Sequence, residues 1–180
     1  EIFLARLKGV AAISVEDALD FGLTGPCLRA CGVDYDLRKA DPYSVYDRFD
    51  FNVPTGLDGD CWDRHFVRVQ EMYESMRILE QALVQMPKGN VTSSLGRRLP
   101  RPPKGEVYVR AENPRGEIGV YLVCDGTDKP YRLKVRPPSF CNLSAIKHLL
   151  KDTWIADTVV VLGSLDIQSN LDFLLHRLVL

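Results

Sequence analysis

The sequence predicts a mainly α-helical chain that carries one small antiparallel β-sheet, an α+β arrangement. Three observations carry that prediction. Over 61–86 apolar residues recur at helical spacing, three short strand-like runs separated by turn residues lie within 105–136, and recognisable cap residues mark helical pieces on either side.

With 180 residues, of which 46% are hydrophobic and 26% charged, the composition is globular and sufficient to bury one sizeable core, so a single domain over 1–180 is expected. The net charge of −1 gives no global electrostatic reason to expect nucleic acid or an anionic membrane surface as partner. The apolar run 159–162 is far short of the ~20 residues a transmembrane helix needs.

The elements follow in order. Over 2–21 the pattern is of helical pieces: Ser14 followed by Asp17 forms an N-cap with an acidic first turn, and Gly22 is a C-terminal stop. From 24 to 60 glycine, proline and aspartate recur every few residues, yet Leu28, Val33, Tyr35, Leu37, Tyr43, Tyr46 and Phe49 supply apolar anchors, which predicts ordered irregular structure. The helix over 61–86 places Trp62, Phe66, Val69, Met76, Leu79, Leu83 and Met86 on one face expected to be buried. Asp60 caps its start, and Pro87 and Gly89 end it.

Residues 90–104, with Ser93, Ser94, Pro100, Pro102 and Pro103, form an internal linker. Strands are expected at 106–111, 117–124 and 131–136, joined by Asn113-Pro114-Arg115-Gly116 and Asp125-Gly126-Thr127-Asp128, so that 105–136 is an antiparallel meander. Asn142 is expected to cap a helix bearing Leu143, Ile146, Leu149 and Leu150. The run 158–162 is compatible with a strand or a buried helix.

Candidate chemistry is sparse. Five cysteines (Cys27, Cys31, Cys61, Cys124, Cys141) at irregular positions argue against a disulfide framework and fit a reducing compartment. Cys27 and Cys31 are spaced i, i+4, but Gly25, Pro26 and Gly32 disfavour a regular helix and no further pair completes a ligand set; buried thiols are the better reading, and no metal is expected. His65, His148 and His176 are isolated and read as structural. Signatures for a nucleophile elbow, a Walker loop or a dinucleotide fold are absent. Arg97, Arg98, Arg101 and Lys104 sit among prolines with no aromatic stacking platform, which favours a solvated linker over RNA binding. Arg29, in a glycine-bounded loop, can pair with carboxylates at a crevice or make an internal salt bridge. Arg115 and Arg136 flank the meander as interface or fold-stabilising charges.

Five stretches in order carry a resemblance. They are Glu16-Asp17-Ala18-Leu19 with Thr24-Gly25-Pro26-Cys27-Leu28-Arg29-Ala30-Cys31-Gly32; Asp36-Leu37-Arg38-Lys39; Pro42-Tyr43-Ser44-Val45-Tyr46-Asp47; Gly59-Asp60-Cys61-Trp62-Asp63-Arg64 running into Val67-Arg68-Val69-Gln70-Glu71-Met72; and Pro114-Arg115-Gly116-Glu117 through Asp125-Gly126 to Gly163-Ser164-Leu165-Asp166-Ile167. Together they resemble the C-terminal part of the quinone-site subunit of respiratory complex I, its D subunit. That family is related to the large subunit of [NiFe]-hydrogenases. The start at Glu1-Ile2-Phe3, without an initiator Met or signal peptide, accords with a portion of a longer product.

The resemblance implies a hydrogenase-large-subunit-like helical bundle with a small β element. It implies work within a proton-pumping NADH:quinone (or other donor:quinone) oxidoreductase, inactive alone. One wall of the quinone pocket would lie here, with Ser164, Asp166 and Ile167 lining it and Arg29 and Arg115 as interface charges. Electrons would come from an iron–sulfur cluster in a neighbouring B-like subunit. NAD would be bound in a distant subunit, and C-like and membrane-arm subunits would be further partners. The place implied is the cytoplasmic face of a bacterial inner membrane, or the matrix or stromal face of an organelle membrane, as a peripheral protein. Hydrogenases hold nickel through Cys-x-x-Cys pairs; the C-terminal pair would fall near 163–168, where no cysteine stands. The family's quinone-headgroup tyrosine and histidine belong to a region before Glu1 and are not carried over. After Ile167 the family closes on Gly-Glu-Val-Asp-Arg, whereas this chain continues Gln168-Ser169-Asn170-Leu171-Asp172 to Leu180, a partner-binding helix or an altered terminus. That departure favours the rival reading, a non-catalytic scaffold or divergent paralogue.

Overall fold

The computed structural model describes residues 1–90 and 101–167; most of the expected linker, together with the segment after Ile167, lies outside these. The chain begins with helices α1 (Ile2–Leu7) and α2 (Val15–Asp20), the latter capped by Ser14, whose hydroxyl accepts from the Asp17 amide at 3.1 Å. Gly22 then takes a positive φ and stops the helix. Two short helices, α3 (Pro26–Arg29) and α4 (Leu37–Ala40), and a 3₁₀ turn (Tyr46–Arg48) order the glycine- and proline-rich stretch, with Leu28, Leu37 and Phe51 buried as anchors.

Helix α5 (Cys61–Gln85) has 25 residues and is about 38 Å long at the usual rise. Asp60 caps it, accepting from the Asp63 amide at 2.8 Å. Strands β1 (Gly105–Asn113), β2 (Gly116–Cys124) and β3 (Arg132–Arg136) form an antiparallel sheet in the order β1-β2-β3. Asn113 pairs with Gly116, which leaves Pro114 and Arg115 as the turn. In β3 the alternation of exposed Arg132, Lys134 and Arg136 with half-buried Leu133 and Val135 follows the sequence pattern.

Helices α6 (Pro138–Leu143), α7 (Ile146–Leu149) and α8 (Thr158–Leu165) complete the described chain. The core lies where α1, α2, α3, α7, α8 and the first turns of α5 meet, around Ala18, Cys27, Cys61, Ala145, Leu149, Val161 and Leu165. Arg6 on α1 donates to Asp157, just before α8, at 2.9 Å.

Three expectations are revised or decided. The single helix expected after Asn142 is two, and Asn142 lies inside α6 instead of capping it. The break falls at Ser144, whose hydroxyl lies 2.7 Å from the carbonyls of both Phe21 and Cys141 and shares its one proton between them, and so competes with helix continuation. The ambiguous 158–162 run is helical, because Val161 and Leu165, one turn apart, are both fully buried.

The face of α5 expected to be buried is not: Trp62 and Val69 are half-buried, and Phe66, Met76, Leu79, Leu83 and Met86 are exposed, Leu83 to 70%. The residues that are buried, Cys61, Arg64 and Val67, lie on a neighbouring face at the start of the helix. Only the first turns of α5 reach α8 and α3; further along, the helix carries polar ties instead, Gln81 donating to the Asp50 carbonyl and Glu74 accepting from the Asn52 amide. Among the described residues no helix is long and apolar enough to cross a membrane.

Candidate functional site

Two loci gather the polar chemistry. The first is built on α3, where the Pro26 start and the positive φ of Gly25 turn the chain so that Arg29 points inward and is 1% exposed. Its Nε donates to Glu71 of α5 at 2.7 Å, and its Nη1 donates to Glu112 of β1 and to the Tyr35 carbonyl, each at 3.0 Å. The Asp36 carboxylate lies 3.8 Å away and is itself paired with Arg38 at 2.6 Å. Arg29 thus ties α3, α5, the start of α4 and β1 together through internal partners.

The electrostatics follow from burial. Desolvation pushes the Glu71 and Glu112 carboxyls above the ordinary glutamate range, although the Arg29 charge opposes it. Asp36 is desolvated as well, but the hydrogen bond and charge of Arg38 outweigh that, and its carboxyl stays below the usual range. Removing one partner of such a buried set typically costs about 3–5 kcal/mol, because the others are left uncompensated.

The second locus is the C-terminal end of α8. The helix stops at Asp166, which takes left-handed angles (φ 52°, ψ 55°), and its carboxylate is part-exposed. Arg115, at the β1–β2 turn, donates from Nε to the Asp166 carbonyl at 2.9 Å and lies 3.2 Å from the carboxylate. The turn is held in place by Asn142, whose amide donates to the Arg115 carbonyl at 3.2 Å while its oxygen accepts from the Thr24 amide at 3.0 Å. Here two backbones meet: a Cβ on Gly25 would stand 2.3 Å from the Gly116 Cα, and both glycines have positive φ. Only glycine fits at such an approach.

Ser164 faces the opposite way from Asp166. It is buried, its hydroxyl donating to the Val161 carbonyl at 2.7 Å and accepting from Arg64 Nε at 3.0 Å. Ile167 is half-buried and packs on the core. Of the expected residues, then, Asp166, Arg115, Ser164 and Ile167 converge on one end of α8, while Arg29 is the centre of the separate buried ion set.

The other candidates take structural places. The five cysteines are free thiols; Cys27, Cys31, Cys61 and Cys124 are buried, and burial pushes the Cys31 thiol up to about 11. The His65 ring packs against Phe3 and Trp62, and His148 packs against Phe21. Arg136 pairs with Glu117 at 3.5 Å across the sheet. Among the described residues no group of three or more His, Cys, Asp or Glu side chains is arranged to hold a metal. Sequence reasoning missed Asn142 as a bridge and Arg64 and Arg68 as the backing of Ser164. The signal was present for Arg64, which falls on the same helical face as Cys61 and Val67.

This geometry, a helix end clamped by a hairpin turn over a small core, coincides with a family-wide match. Residues 1–100 and 94–172 match the model of the respiratory-chain NADH dehydrogenase 49 kDa subunit, which is almost the whole chain. The chain belongs to that family.

Among its relatives is the D subunit of the NADH-quinone oxidoreductase of Bacillus cereus, 52% identical over 167 residues that make up 93% of this chain and 46% of that protein. The D subunit of Dehalococcoides mccartyi is 50% identical over the same share of this chain and 45% of its own. The D 2 subunit of Solibacter usitatus is 49% identical over 92% of this chain and 45% of its own. The chain therefore spans about half the length of these relatives.

Proposed function

We propose that this chain works within a proton-pumping NADH:quinone, or other donor:quinone, oxidoreductase, where it forms one wall of the pocket in which quinone is reduced. The observation that carries the reading is the Asp166 turn: a part-exposed carboxylate fixed at a helix end by Arg115, in the segment that resembles the family's quinone-cavity wall. Reduction of a quinone to a quinol takes up two electrons and two protons. The electrons come from an iron–sulfur cluster in the neighbouring B-like subunit, and NAD is bound in a distant one.

The chain's own residues supply positioning. Asp166 and Ile167 face the pocket, with the Asp166 carboxylate tuning proton affinity where charge is taken up. Arg115 holds that turn against the sheet, and Ser164 backs it from the core. The chain contributes no metal ligand and is not active alone. Its partners are the B-like and C-like subunits and the membrane arm, and its place is peripheral, at the cytoplasmic face of a bacterial inner membrane or the matrix or stromal face of an organelle membrane.

The test is Asp166→Ala in the assembled complex, with quinone reductase rate measured per assembled complex. A fall of about tenfold or more is expected if the carboxylate takes part in proton supply, as general acid–base groups usually contribute at least that much. An unchanged rate with intact assembly removes the reading. The inward turn of the Ser164 hydroxyl favours a second reading, a non-catalytic scaffold that keeps the packing surfaces alone. That reading predicts the unchanged rate.

A further inference from the structure

We infer that Arg68, backed by Arg64, is a positioning residue for the quinone wall, acting through Ser164 and holding positive charge behind it. The inference rests on the pocket reading above and adds residues that the reading does not use. The two arginines stand one turn apart on α5, in its first eight residues, where the helix packs on α8.

Arg64 is buried and Arg68 half-buried, and the partners of both are unusual for charges set this deep. Arg64 is 1% exposed, and its donors go to neutral acceptors: Nε to Ser164 Oγ at 3.0 Å, Nη1 to the Gly59 carbonyl at 2.6 Å, and Nη2 to the Ala11 carbonyl at 3.0 Å and Cys61 Sγ at 3.2 Å. Arg68 Nη1 bridges the carbonyls of Arg64 and Ser164, each at 2.7 Å, and Nη2 lies 3.7 Å from Cys27 Sγ. Arg68 Nε is buried and has no partner. Neither guanidinium has a carboxylate within salt-bridge distance among the described residues.

Arg29 provides the contrast within the same molecule. It is as buried as Arg64, and two carboxylates lie within 3.0 Å of it. That is the usual solution for a cation taken out of water, since an uncompensated one is costly to bury. The carboxylate at the α8 end, that of Asp166, is paired with Arg115 instead. A buried Arg64 with no paired carboxylate, beside a half-buried Arg68 that feels the charge of Glu71 without pairing with it, is therefore poorly explained by stability. The carbonyl end of the α8 dipole offsets part of their charge, which also accounts for Arg68 gripping the Ser164 carbonyl. What remains is a positive potential under 164–167, and a fixed backbone that sets where Asp166 and Ile167 stand. Electron-rich quinone carbonyls bind better beside such a potential, and better still against a wall that does not move.

The experiment uses the assembled complex with decylubiquinone as substrate. Electron transfer from NADH to ferricyanide, which bypasses the pocket, measures the amount of competent complex. Arg68→Met is expected to raise the KM for decylubiquinone about tenfold or more, as a binding wall that shifts misplaces the substrate, with ferricyanide turnover unchanged. Arg68→Lys, which keeps the charge and one strong donor, is expected to restore KM to within about twofold of the original. A wild-type KM in Arg68→Met, or a Lys variant as impaired as the Met variant, overturns the inference. Should Arg68→Met prevent assembly, Arg68→Gln takes its place with the same two outcomes. Asp166→Ala, run in parallel, separates the levels: if it slows quinone reduction and the Arg68 variants do not, this inference fails alone; if none has an effect, the pocket reading fails with it.

Discussion

Arg115 grips Asp166 across 51 positions of sequence, donating from Nε to its backbone carbonyl at 2.9 Å with the carboxylate 3.2 Å away. A β-turn side chain thereby fixes the left-handed residue that ends α8. The sheet, which contributes little to the core, is thus tied to the helix end that carries the candidate site.

Arg115→Ala is expected to cost little stability, about 1 kcal/mol or less, because both partners are partly exposed and solvent screens their attraction. For a chain of this size that corresponds to a fall in Tm of roughly 2–4 °C. Thermal unfolding followed by circular dichroism checks it. A loss several times larger would mean that the grip supports the core and not the turn alone.

Glu112→Gln is expected to flatten the dependence of stability on pH. The raised pKa of Glu112 means that the folded chain binds more protons than the unfolded one as this group titrates. Its contribution is then full at acid pH, below the ordinary glutamate value, and is lost as pH rises through the raised value. Glu71 behaves in the same way, whereas the lowered Asp36 loses its contribution as pH falls. Chemical denaturation from acid to neutral pH should show a smaller decline in unfolding free energy for the variant, on top of a lower absolute stability from the lost Arg29 pair. An equal or steeper decline would contradict the assignment.

Gly25→Ala should be among the most damaging small substitutions in the chain. The added methyl meets the Gly116 Cα at 2.3 Å, and the backbone is at φ +63°. Strain of about 1–2 kcal/mol from the left-handed backbone is joined by separation of the hairpin from α3. Gly126→Ala is the control, since it shares the positive φ but has open space around it. Equal losses in the two variants, measured by denaturation, would show that the close approach does not matter.

Local signals made much of this fold legible. The Ser14 and Asp60 caps, the three strands and the turn at Pro114 and Arg115 all follow from short-range chemistry, and the structure places them as the residues indicate. What failed was long-range. Asn142 looks like a cap in sequence, yet its partners are Thr24 and Arg115, at separations of 118 and 27 residues. The apolar stripe of α5 indicates a buried face, but periodicity says nothing of how far along the helix other elements reach. Arg64 shares a helical face with Cys61 and Val67, but nothing local says what either it or Arg68 would meet. Only packing against α8 reveals them as the support of Ser164, while Asp166 and Ile167 stood out through the family resemblance and not through their own chemistry.

Photoaffinity labelling of the assembled complex with an azido-quinone, followed by peptide mapping, tests the central claim most directly. The account predicts label on the peptide containing 163–167, competed away by unmodified quinone. Label confined to other subunits or to other parts of this chain, in a complex that still reduces quinone, would contradict it.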